Sequence, residues 1–105
     1  MVLARLLTLY LQKAAKSLYS YHPMPWHVYI IKCNDGKLYT GITNNLNRRI
    51  KAHNSGKGGR FTKCRVPVQL LFSKELPTKS DALKWEIQIK RLPRAKKLEL
   101  VREKP

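Results

Sequence analysis

Asn34-Asp35-Gly36 lies between two runs rich in β-branched and aromatic residues, Val28 to Cys33 and Lys37 to Ile42, and no other feature restricts the fold of this chain as tightly. A Gly after Asn and Asp supplies the left-handed backbone position that a tight hairpin needs. The two runs are therefore predicted to pair antiparallel. If the loop is three residues long, Cys33 faces Lys37, Ile31 lies opposite Tyr39, and Tyr29 lies opposite Gly41. Tyr29 and Tyr39 then share one face of the sheet, and Gly41 leaves a gap beside two phenols. A two-residue loop would send the tyrosines to opposite faces, and strands also take Tyr simply because it packs well on a pleated surface.

The remaining elements follow from caps and breakers. Asn44 or Asn45 can cap a helix carrying Leu46, Arg49, Ile50 and His53, which Gly56 or Gly58 ends. Lys57 to Arg65 reads as a basic loop, and Val68 to Lys74 as a third strand bounded by Pro67 and Pro77. Thr78 or Ser80 caps a second helix running through Arg91, with Asp81 in its first turn, and Pro93 opens a third reaching about Arg102. The predicted fold is α+β, a small three-stranded antiparallel sheet flanked by helices in the order β-β-α-β-α-α. A chain of 105 residues accommodates one such domain, placed at residues 26–100 with a tail at 101–105. The Leu-rich residues 1–25 form an N-terminal extension, read either as a short amphipathic helix laid on the domain or as sequence upstream of a start at Met24. Lys13 and Lys16 occupy the place where a signal peptide would be cleaved, which argues against export.

Several polar residues stand where the pattern calls for apolar ones. Arg49 and His53 fall on or beside the Leu46/Ile50 stripe, one turn apart on the same side of the helix. A half-buried Arg requires an anion, and phosphate suits its planar fork; a rim Arg covering the core with its stem is the plainer alternative. Glu86 is bordered by the apolar Ala82, Leu83, Trp85, Ile87 and Ile89, and is one of only six acidic residues. It is the best candidate for holding a hard cation, with an ordinary i,i+4 ion pair to Lys90 as the competing explanation. Two phenols, a guanidinium, an imidazole and a carboxylate are the parts that phosphodiester hydrolysis uses.

These residues, in this order, resemble the GIY-YIG nuclease family, in particular its small stand-alone bacterial (YhbQ-like) branch. The carrying segments are Val28-Tyr29-Ile30, Tyr39-Thr40-Gly41, Asn47-Arg48-Arg49-Ile50, His53-Asn54-Ser55-Gly56-Lys57-Gly58 and Glu86-Ile87-Gln88-Ile89-Lys90. The first triplet departs from Gly-Ile-Tyr, and no Asn follows Glu86. The resemblance implies DNA cleavage dependent on Mg²⁺ or Mn²⁺, with DNA repair or recombination as a setting. By position it implies that Tyr29 and Tyr39 hold and activate water, with the choice of base open. It further implies that Arg49 contacts the scissile phosphate, His53 relays the phenol proton and Glu86 binds the metal.

The charge balance points to the same class of partner. Twenty-two Lys and Arg against six Asp and Glu give a net charge of +16, which attracts polyanions. Lys37, Arg48, Lys51, Lys57, Arg60, Lys63, Arg65 and Lys90 are the predicted nucleic-acid contacts, and such contacts position a strand without reading its sequence. DNA, or RNA, is the expected ligand, with a recruiting protein partner allowed for. The competing reading is a basic nucleic-acid-binding module that keeps the fold without turnover. No apolar stretch approaches the roughly 20 residues a membrane helix needs. Cys33 and Cys64 lack the spacing of a zinc site or a disulfide framework and read as free thiols of the cytoplasm.

Overall fold

The computed structural model describes residues 24–103. The readings for residues 1–25 therefore fall, apart from the last two positions, outside the described residues. Three strands, β1 (Trp26–Lys32), β2 (Leu38–Thr43) and β3 (Gln69–Leu76), form an antiparallel sheet in the order β2-β1-β3. The register places Tyr29 opposite Gly41 and Ile31 opposite Tyr39. Of the two loop lengths that Asn34-Asp35-Gly36 allowed, the three-residue loop is thus the one present. Gly36 adopts φ 85°, and Cys33 and Gly36 close the turn through Cys33 N–H to Lys37 O at 2.8 Å and Gly36 N–H to Cys33 O at 2.9 Å.

Helix α1 (Leu46–Asn54) follows β2, and Asn45 caps it by accepting from Arg48 N–H at 3.0 Å. Helix α3 (Lys79–Lys90) starts from Thr78, whose hydroxyl accepts from Asp81 N–H at 3.1 Å, and α4 (Arg94–Arg102) follows Pro93. Between α1 and β3 the expected basic loop contains one helical turn, α2 (Arg60–Lys63). Four residues carry no hydrophobic period to read, and no side chain caps this turn. Its position is set by contacts beyond the turn itself: Thr62 is buried with its hydroxyl 2.7 Å from His53 Nδ1, and Arg65, just past the turn, donates from Nε to Asp35 Oδ2 at 3.0 Å.

Strand alternation divides the apolar residues between the two faces of the sheet. Val28, Ile30, Phe72 and Leu76 meet Ala82, Trp85 and Ile89 of α3 and Leu100 of α4 on one side. Each such large side chain contributes roughly 1.5–3 kcal/mol by leaving water, so this face carries most of the burial energy. Leu83 and Ile87, on the far side of α3, stay exposed. The opposite face is thinner: Tyr29, Ile31, Cys33 and Val68, with Tyr39 and α1 residues Leu46 and Ile50 at its margin. That face holds Tyr29, Tyr39, Arg49 and His53 of the polar residues singled out by sequence.

Candidate active site

Tyr29 projects from the central strand toward α1 and is 1% exposed. Its Oη lies 2.9 Å from His53 Nε2 and receives the Arg49 Nε–H at 3.4 Å. The one-turn spacing of Arg49 and His53 brings both to the same phenol. Tyr39 is half-buried beside them, with its ring centroid 6.5 Å from that of Tyr29 and 5.4 Å from that of His53. Arg49 Nη2 also donates to Gly58 O at 2.8 Å, which fixes the guanidinium between the sheet and the segment after α1.

The gap foreseen at Gly41 is occupied. A Cβ there would sit 2.6 Å from Tyr29 Oη and 2.8 Å from Cζ, so the missing side chain is what lets the phenol lie against β2. Gly58 has a similar role at the imidazole, where a Cβ would collide with His53 Nδ1 and fall 2.6 Å from Cγ. The His53 ring is fully buried, and its other nitrogen, Nδ1, lies 2.7 Å from Thr62 Oγ1. Thr62 was not among the sequence candidates. It lies on the helical turn that the sequence presents as loop, and its only local signal is a β-branched hydroxyl residue following Gly58-Gly59.

Burial and charge set the protonation of this cluster. Burial foremost, and then the adjacent Arg49 charge, hold His53 at a pKa of about 4, so the ring is neutral near pH 7. Burial raises the Tyr29 phenol; the Arg49 hydrogen bond and charge oppose this, while Tyr39 and Glu86 add to it. Arg49 is held in its charged form chiefly by its bond to Tyr29.

Glu86 belongs to α3, whose Ala82, Trp85 and Ile89 pack on the opposite face of the sheet, yet its charge reaches the Tyr29 phenol, as the weakest of the influences there. One carboxylate oxygen pairs with Lys90 Nζ at 3.4 Å, which realises the i,i+4 contact that the spacing allows. Among the described residues no three or more His, Cys, Asp or Glu side chains gather into a metal-binding group.

The predicted nucleic-acid contacts divide by environment. Lys37, Arg48, Lys51, Lys57, Arg60 and Lys63 are exposed. Arg65 is engaged instead: Nε donates to Asp35 Oδ2 at 3.0 Å and the guanidinium lies 4.5 Å from the Phe61 ring centroid. Lys90 is exposed apart from its bond to Glu86. A cleft of about 330 Å³, lined by Trp26, Ile42, Asn44, Arg48, Arg49 and Ala52, opens beside the guanidinium. The geometry therefore joins a fixed cation, a buried phenol, a neutral imidazole and a cleft with an aromatic wall, a combination suited to holding a phosphodiester and moving a proton beside it.

Comparison with known proteins places this arrangement in context. Residues 25–99 match the model of the GIY-YIG catalytic domain. A UPF0213 protein of Staphylococcus epidermidis is 50% identical over 76 residues, covering 72% of this chain and 93% of that protein. One from Staphylococcus saprophyticus is 49% identical over 77 residues, covering 73% and 94% respectively. The solution NMR structure of a UPF0213 protein from Bacillus halodurans superposes with a TM-score of 0.52 at 46% identity, covering 77% of this chain and 86% of that one.

Proposed function

Because this chain belongs to the GIY-YIG catalytic-domain family, we propose that it is a divalent-metal-dependent DNA endonuclease with low intrinsic sequence specificity, acting in the cytoplasm in DNA repair or recombination. The observation that carries the proposal is the meeting of Arg49 and His53 at the Tyr29 oxygen, at 3.4 Å and 2.9 Å, beside a second phenol. A purely structural tyrosine requires one partner, and a guanidinium beside it adds a charge that must be answered. A phosphate answers it. Two of the five Arg49 N–H groups serve Tyr29 and Gly58, which leaves three for a phosphate and for Tyr39.

Hydrolysis adds water to phosphorus, breaks the P–O bond to the leaving sugar oxygen, and returns a proton to that oxygen. Arg49 holds the phosphate and offsets the charge that builds on its oxygens. The paired phenols orient the attacking water, with the proton it loses passing to a tyrosine oxygen or onward to solvent. Burial of Tyr29 and His53 keeps competing water away from the polar contacts behind the reacting group.

A metal fits this chain in a particular way. Mg²⁺ is commonly held by one or two carboxylates together with substrate phosphate oxygens and water, and Glu86 offers one carboxylate oxygen that Lys90 leaves unpaired. Glu86 is thus the residue that would hold the cation, with DNA completing the set. When bound, the ion supplies Lewis-acid stabilisation of the phosphoryl and leaving oxygens. The cleft at Trp26 accommodates the neighbouring nucleotide, and the exposed Lys and Arg residues engage the backbone of the strand.

The test is nicking of supercoiled plasmid by the purified full chain in Mg²⁺ or Mn²⁺, alongside Arg49→Ala and Glu86→Gln. Cleavage by the wild type and its loss, by at least about a hundredfold, in both variants is expected. Cleavage that persists unchanged in both would assign it to a contaminant, and DNA binding without cleavage in any divalent metal would leave a binding module.

A further inference from the structure

His53 is neutral near pH 7 and carries one ring proton, and each ring nitrogen faces a hydroxyl: Tyr29 Oη 2.9 Å from Nε2, and Thr62 Oγ1 2.7 Å from Nδ1. All three side chains are at most 1% exposed. The proton can stand on either nitrogen with the same number of hydrogen bonds. On Nδ1, it leaves the ring donating to Thr62 and accepting from Tyr29; on Nε2, it leaves the ring donating to Tyr29 and accepting from Thr62. Each arrangement leaves one hydroxyl hydrogen without an acceptor among the described residues, that of Thr62 in the first and that of Tyr29 in the second. The geometry singles out neither, and a threonine hydroxyl, able to donate or accept, serves both.

Thr62 is the one hydrogen-bond partner of Nδ1 among the described residues, and the Gly58 backbone lies against that edge of the ring. The other contacts of the ring are edge-on packing against Tyr29 and Tyr39, with centroids 5.9 Å and 5.4 Å away. Removing the hydroxyl leaves a buried ring nitrogen unpaired, which is disfavoured, and only movement of the ring relieves it.

We infer that Thr62 is a positioning residue whose hydroxyl holds the His53 ring at the Tyr29 oxygen whichever ring nitrogen carries the proton. A proton at this ring can then change nitrogen, or a second one arrive, without the ring moving, because an imidazolium donates from both nitrogens and both hydroxyl oxygens accept. Thr62 acts only through His53 and touches no reacting atom. The plainer role for the same bond is to tether α2, with Arg60 and Lys63, to α1, and that role predicts lost DNA affinity in place of lost turnover. The inference rests on the endonuclease reading for its effect on cleavage, but the position of the ring is measurable in a protein that cleaves nothing.

The experiment compares the full-length wild type with Thr62→Val, which keeps the shape and loses the hydroxyl, and Thr62→Ser, which keeps the hydroxyl. Three quantities are read: plasmid nicking as kcat and KM, affinity for a duplex oligonucleotide without divalent metal, and nuclear Overhauser contacts between the His53 and Tyr29 rings, assigned with a His53→Gln variant. Thr62→Val is expected to lower kcat at least about tenfold, leave KM and affinity within about twofold, and lose at least about half of the ring–ring contact intensity. Thr62→Ser is expected to stay within about threefold of the wild type throughout. Thr62→Ala removes the hydroxyl a second way and carries the test if the valine protein does not fold. Unchanged kcat or unchanged ring contacts in the variant lacking the hydroxyl overturn the inference. A fall in affinity as large as the fall in kcat also overturns it, assigning the bond to tethering α2, and so does a Thr62→Ser protein that behaves like Thr62→Val, assigning the effect to packing. In a wild type that does not nick, the ring contacts decide alone: their loss in Thr62→Val and retention in Thr62→Ser uphold the positioning role while the nuclease reading falls, and any other pattern overturns both.

Discussion

Gly41→Ala is the smallest change that strikes the site without touching a reactive group. The new methyl would lie 2.6 Å from Tyr29 Oη, 2.8 Å from Cζ and 3.2 Å from Cε2, well inside ordinary contact distance. The phenol cannot swing aside cheaply, because the ring is 1% exposed and its centroid lies 5.9 Å from that of His53 in an edge-on contact. Overpacking of this kind costs about 1–3 kcal/mol. Displacing the hydroxyl also breaks the bond to His53 and leaves a buried polar group unpaired, about 1–3 kcal/mol more. Replacing a strand Gly by Ala returns roughly 0.5 kcal/mol of backbone entropy. The net loss is about 1.5–5.5 kcal/mol, a large share of the stability of a domain this size. Urea denaturation followed by tryptophan fluorescence measures it, with nicking of plasmid as the second readout, expected to fall at least about tenfold. The double variant Gly41→Ala/Tyr29→Phe removes the 2.6 Å contact but keeps the one at 2.8 Å, so part of the loss should be recovered and part retained. A Gly41→Ala protein within about 0.5 kcal/mol of wild type, with cleavage intact, would refute the packing of Tyr29 against β2 described above.

Two further outcomes follow from charge. His53 has a folded pKa of about 4, below the ordinary 6.5, so the unfolded chain binds its proton first as pH falls. The contribution of His53 is therefore fully present above pH 6.5 and is lost progressively toward pH 4, amounting to about 2 kcal/mol by pH 5. Urea midpoints at pH 7.5, 6 and 5 measure this, and a flat profile from 7.5 to 5 would contradict it. Replacing Lys57, Arg60 and Lys63 together by Ala should weaken binding to a duplex oligonucleotide almost equally for any sequence and reduce the salt dependence by up to about three phosphate contacts. Fluorescence anisotropy over a salt series reads this directly, and an unchanged slope would place the strand elsewhere.

What was legible in the sequence was local. The turn at Asn34 to Gly36 was legible, but its length was not; of the two lengths the sequence allowed, the three-residue loop is the one that places Tyr29 and Tyr39 on one face and Tyr29 opposite Gly41. Helix spacing then placed Arg49 and His53 together, and both reach Tyr29. The caps at Asn45 and Thr78 were among the residues named for those roles. What could not be read was whatever depends on contacts distant along the chain. Helix α2 is too short to have a period, so Thr62 carried no sign that it would meet a ring nine positions earlier. The five apolar residues of α3 looked alike, yet Leu83 and Ile87 stay exposed because only one side of that helix meets the sheet. Arg65 looked like its basic neighbours, and only the folded hairpin brings Asp35 within 3.0 Å of it.

That last contact has a mechanical side. Asn34 N–H donates to Arg65 O at 2.9 Å, Asn34 Nδ2 donates to Val66 O at 2.7 Å, and Arg65 reaches back to Asp35 at 3.0 Å, so the hairpin tip is fastened to the chain just past α2. The cation-bearing stretch from Lys57 to Lys63 is consequently a span clamped at both ends, with α1 as one abutment and the β1–β2 turn as the other. An incoming strand meets a scaffold already set in shape, and little of the attraction between them is spent on stiffening the protein.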